Sequence, residues 1–202
     1  MTTTDHDSFE KNRHEARQSF TGKSLTDGQF EESWALAGVM ERGIKTNGTF
    51  HEKLTDYAHA FARSEKFDAI KGETIIRDIF KARYGETMNR MREGLMKREA
   101  EVRESGHNLA FNHARNVEHL IQNGETMPFY KAYDRESAEF AQTLGITQAG
   151  AKSMMQEAYR AVEKRELYDV GKALEDKFHR PRMEAEKAAR EAARDRSRTR
   201  SR

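Results

Sequence analysis

The sequence predicts an all-α protein, a helical bundle of about six to eight helices with a disordered N-terminal arm and a basic C-terminal tail. Three observations point there. Only two of the 202 residues are proline, and Ala, Glu, Lys, Arg and Met outnumber the β-branched residues, a helix-favouring composition. Apolar residues recur three and four positions apart, the spacing of one helix face. Glycines stand at the ends of those stripes, where a helix needs a residue that accepts the left-handed conformation. Hydrophobic and charged residues make up 36% and 35% of the chain, so the core must come from narrow stripes on long helices.

Residues 1–25 are mostly polar, with Phe9 and Phe20 among their few large apolar residues. They read as a mobile arm in which a short helix can form over residues 8–19. The helical domain covers 26–178. It opens with Thr26 or Asp27 as N-cap, followed by Phe30, Trp34, Ala37 and Met40 on one face and Gly43 as the stop. Thr49-Phe50-His51-Glu52 has the form of a capping box, ahead of the stripe Phe50, Leu54, Tyr57, Ala58 and Phe61. Ile75, Ile76, Ile79, Phe80 and Tyr84, ended by Gly85, form the most apolar patch and are the expected centre of the core.

Met88, Met91, Leu95 and Val102 mark a charged helix stopped near Gly106, and Ala110, Ala114, Val117, Leu120 and Ile121 mark another stopped by Gly124. Pro128 suits the first turn of the next helix, which runs through Tyr130 and Tyr133, and Phe140, Ala141 and Leu144 either continue it or start a new one, up to Gly145. After Thr147 come Met154, Met155, Ala158, Tyr159 and Val162. Leu167, Val170, Leu174 and Phe178 then form a coiled-coil-like seam, able to pack internally or against a second copy in a homodimer. Pro181 is expected to break that run. Residues 183–195 are alanine- and charge-rich without an apolar stripe, the pattern of a lone, fraying helix.

Several classes of chemistry find no support in the sequence. With no cysteine there is no thiol nucleophile, disulfide or cysteine-ligated zinc. No glycine-rich phosphate loop and no His-Glu-x-x-His occur. His107, His113 and His119 lie six apart, which sends neighbours to different helix faces. No catalytic, cofactor or metal residue is therefore assigned, and the chain reads as not an enzyme. No apolar run reaches the length of a membrane span and no basic-then-apolar leader is present, so a cytoplasmic protein without membrane insertion is expected.

Positive charge is concentrated at the end. From residue 178 to 202, nine Lys/Arg stand against four Asp/Glu, and from Arg194 every second residue is an arginine: Arg194, Arg196, Arg198, Arg200 and Arg202. Such a segment has nothing apolar to bury and is expected to stay disordered, presenting permanent cations. The spacing Arg190-(seven residues)-Arg198-x-Arg200-x-Arg202 resembles the C-terminal transport signal of type IV secretion substrates, the effectors and DNA-bound relaxases of conjugation. The resemblance implies recruitment by an acidic coupling ATPase and translocation to a recipient cell. Leu36-Ala37-Gly38, then Gly43, Lys45 and Asn47, is similar to a segment of the intracellular-delivery helical domain found in some of those proteins. The same arginines also suit phosphate neutralisation on nucleic acid, or a merely solvating tail.

A second lead lies in residues 138–159. Ala141, the turn glycine Gly145, the apolar plug Ile146, the cap Thr147, and Ala151 and Met154 packing back resemble a bacterial helix-turn-helix. That resemblance implies a DNA-binding regulator or relaxosome accessory protein, with Thr147, Gln148, Ala149, Lys152 and Ser153 on the helix that enters a major groove. A plain helical hairpin has the same glycine turn and cap.

Overall fold

The structure, a computed structural model, describes residues 3–22, 24–123 and 127–200, with side chains described for 9–22, 24–123 and 127–192. It is all-α. Among the described residues there is no strand, only one bridge between Thr21 and Leu25 in the turn after the first helix. The chain sorts into two compact units, Met1–Arg98 and Glu99–Arg202, which divides the domain expected over 26–178. The physical reason is that each unit closes its own apolar cluster.

Unit one contains α1 Thr3–Phe20, α2 Asp27–Asn47, α3 His51–Glu65 and α4 Ala69–Tyr84, and α5 Met88–Val102 begins in it. α4 is the hub, contacting α1, α2 and α3. Its Ile76, Ile79 and Phe80 are fully buried with Phe30, Met40 and Ile44 of α2 and Leu54 and Phe61 of α3, where the core was expected. α3 and α4 approach closely at Gly72, where a Cβ would stand 2.8 Å from the Ala58 carbonyl oxygen. A side chain there would force the helices apart.

Three local expectations in unit one change. The segment read as an arm is helical as α1; Ala16 is buried, and Phe9 packs edge-on against Trp34 at 5.8 Å. α2 continues past Gly43 to Asn47, and Gly48 closes it in the left-handed conformation at φ 69°. Gly43 is instead a contact residue, with the Thr49 carbonyl 3.1 Å from its Cβ position. The Thr49 capping box does not form: Phe50 is the N-cap of α3 and no side chain caps it. Burial of the Phe50 ring holds that turn in place of a polar cap. The Thr26 cap does form, as a full box with Gln29.

Unit two contains α6 His107–Gln122, α7 Phe129–Leu144, α8 Gln148–Glu163, α9 Leu167–Leu174, a π turn Glu175–His179 and α10 Arg180–Arg200. α6 is its hub, touching α7, α8, α9 and the π turn. Ala110, Ala114, Val117 and Ile121 line α6 and meet Phe140, Met155, Tyr159 and Leu167. The first half of the Leu167–Phe178 seam packs inward: Leu167 and Val170 are buried, and Leu174 lies against the same cluster.

Pro181 does not break the run. α9, the π turn and α10 follow one another without a gap. In the π turn the Arg180 amide donates to the Glu175 carbonyl, five residues back. Widening the helix just before a proline relieves the clash between its ring and the preceding turn. The helix then continues past Arg194 to Arg200, where a disordered chain was expected. Growing from an already formed helix, the alanine-rich segment avoids the cost of nucleation, and the Glu186–Arg190 pair adds to it.

Candidate functional site

The tail is built upward from its root. Gly171 lets α9 lie against the Phe129 ring; a Cβ there would fall 2.1 Å from the Phe129 Cδ2. The Glu175 carboxylate accepts from the Phe129 amide at 3.0 Å and from Lys172 Nζ at 3.1 Å, capping the start of α7. Burial alone would raise its pKa, but those two donors and the nearby His179 hold the carboxyl below its ordinary value. Beyond this latch the helix leaves the core. Residues 180–192 are exposed on every face. Their ion pairs, Arg180 with Asp176 at 2.7 Å and Arg190 with Glu186, run along the helix itself. Arg182 Nη2 reaches the Gln122 carbonyl at 3.4 Å.

Of the candidate tail residues, Arg190 is therefore accessible on α10. Arg194, Arg196, Arg198 and Arg200 have helical backbone, and their side chains lie outside the described residues, as Arg202 does entirely.

The helix-turn-helix-like segment has the expected turn. Gly145 takes φ 67° and ψ 42°, and the Thr147 hydroxyl accepts from the Gly150 amide at 3.0 Å. Ala141, Ile146, Ala151 and Met154 are buried. The face expected to read DNA is engaged elsewhere. Thr147 is only 4% exposed, and its hydroxyl also donates to Glu99 Oε2 at 3.3 Å. Gln148 Nε2 donates to the Asp134 carbonyl and the Ser137 hydroxyl, both at 3.0 Å. Lys152 Nζ meets the Asp134 carboxylate at 2.5 Å, and Ser153 donates to Glu157 at 2.8 Å. Ala149 alone of that face points out without a polar group to offer.

Carboxylates dominate the start of α8. Glu99 lies over its first turn so closely that a Cβ on Gly150 would fall 2.1 Å from Glu99 Oε2. Glu157 binds Arg103 Nη1 through both oxygens, at 2.9 and 2.7 Å. Its pKa is lowered by the Ser153 hydroxyl and by Arg103, against the opposing effect of burial. The electropositive helix start that would attract a phosphate thus already carries an internal anion.

The segment similar to the delivery domain lies in α2. Ala37, Gly38 and Gly43 are buried there, Lys45 pairs with Glu41 at 2.6 Å, and Asn47 is the last helical residue. Gly38 underlies the guanidinium of Arg83, whose nitrogens stand 3.2 Å from its Cβ position. Arg83 Nη1 donates to the Trp34 carbonyl at 2.5 Å, and the group lies over Phe9, Trp34 and Tyr84 at 4.8, 5.1 and 5.3 Å. This is a packing role.

Two buried polar pairs in unit two have no local sequence signal. His113 Nδ1 meets Glu136 Oε2 at 2.8 Å, with Asn116 Nδ2 at 3.3 Å from the same oxygen. The Tyr159 hydroxyl donates to Glu118 Oε1 at 2.5 Å. Both pairs tie α6 to its neighbours, and among the described residues no group of three His, Asp or Glu side chains converges as metal ligands would. No helix among them is long and apolar enough to cross a membrane. No family model, curated protein or solved structure matches the chain.

Proposed function

We propose that this chain is a non-enzymatic helical cargo or adaptor of bacterial conjugation or type IV secretion, recruited through its basic C-terminal segment by an acidic coupling ATPase and delivered to a recipient cell. The observation that carries the reading is the exposure of residues 180–192 on every face of α10, beyond a root latched into the core of unit two. A docking handle needs that arrangement: fixed at one end, and presenting its cations to solvent at the other. The arginine spacing from Arg190 to Arg202 supplies the resemblance to transport signals.

DNA reading by α8 has less support, because Gln148, Lys152 and Ser153 are held by Asp134, Ser137 and Glu157, and Glu99 covers the helix start. The experiment is transfer of a recombinase reporter fused to the N-terminus of the chain, with and without residues 191–202. The shortened protein should stay folded and lose transfer. Undiminished transfer would remove the proposal.

A further inference from the structure

Resting on that reading, we infer that the partner recognises α10 as a helix, along the line of helix positions 187, 190, 194 and 198, and not as an extended arginine ladder. The backbone is helical from Arg180 through Arg200. At about 100° per residue, a four-residue step advances only about 40° around the helix, whereas a two-residue step crosses to the far side. Positions 187, 190, 194 and 198 therefore fall on one line, together with Arg180 and Met183 nearer the root. Positions 196 and 200 fall on the opposite side. In an extended chain the same arginines would all share one edge, so the two conformations assign different residues to the partner.

Two further observations favour the helical form. An open depression of about 350 Å³ lies among the side chains of Arg180, Met183, Glu184, Glu186, Lys187 and Arg190, all of them on this one exposed helix. The helix is also held at its base, with Leu167 and Val170 in the core and Glu175 on the Phe129 amide. Recognition of a preformed helix avoids ordering a free chain on binding.

Charge selects the class of partner. Glu184 and Glu191 form an acidic row on one flank of that line, and Glu186 is paired with Arg190. A phosphate backbone would be repelled by that flank. An acidic protein groove bordered by a few cations complements both rows and fixes the register.

The experiment compares three full-length variants for binding to the purified soluble domain of the coupling ATPase, and for reporter transfer. Arg190→Ala with Arg194→Ala lies on that line; Arg196→Ala with Arg200→Ala removes equal charge from the far side. Ala188→Pro with Ala192→Pro keeps every charge and breaks the helix. The first pair and the proline pair should each weaken binding by about tenfold or more, the loss of one or more charge-assisted contacts, while the far-side pair stays within about threefold. Circular dichroism should show the helical loss confined to the proline variant. Equal losses from the two arginine pairs, or native binding by the proline variant, overturn the helical inference and leave the transport reading standing. No loss from either arginine pair overturns both. Tight binding to a duplex DNA probe in place of the ATPase overturns the choice of partner.

Discussion

Glu175 ties the tail to the body through one carboxylate. Its pKa is held below the ordinary carboxylate value, so it contributes stability that is complete above that value and is lost as pH falls through its lowered folded-state pKa. Glu175→Gln should therefore cost about 1 kcal/mol at neutral pH, the usual value of a helix N-cap. The difference from wild type should vanish in acid, once the native group is protonated. Urea unfolding of both proteins across pH 3–7 tests this, and a gap that stays constant with pH would contradict it. The His113–Glu136 pair is a second residue-scale test. Glu136→Ala leaves a buried imidazole and Asn116 without their acceptor, and should cost about 2 kcal/mol. A loss under half of that would mean water replaces the carboxylate.

At the scale of elements, most local signals were legible, the Thr49 box and the Gly43 stop excepted, and the distant ones were not. Thr26, Gly85, Gly145 and Thr147 act where expected, because a cap is decided by neighbours three or four residues away. Of the Leu167–Phe178 seam, only Leu167, Val170 and Leu174 pack into the core. Pro181 was misread, since a proline forbids one hydrogen bond but a π turn removes the conflict. Gly171 gave no sign of its role, because its partner Phe129 is 42 positions away in the chain. Glu175 is likewise separated by 46 positions from the amide it accepts. The core around α6 gave a weaker sequence signal because the first half of its stripe is alanine, Ala110 and Ala114, whose small side chains pack closely while adding little apolar bulk. Gly171→Ala should destabilise unit two by about 1–3 kcal/mol through overpacking against the Phe129 ring. A lowered thermal midpoint would show it, and an unchanged one would mean that α9 shifts without cost.

Across the whole molecule, two cores carry the fold, and residues 180–192 of the tail bury no side chain in either. No residue from 180 to 192 is buried, so removing residues 180–202 should leave the thermal midpoint within about 2 °C, as expected for surface changes. A larger drop would make α10 part of the body. Of the proposed docking handle, the arginine positions are read directly from the sequence, while the helical backbone over Arg180–Arg200 was not expected. The most direct test of the docking handle is the affinity of the full chain and of residues 1–179 for the soluble coupling ATPase, measured across salt concentrations. The full chain should bind and weaken steadily as salt rises, and the shortened chain should not bind. Equal binding by the two, or binding indifferent to salt, would contradict the account.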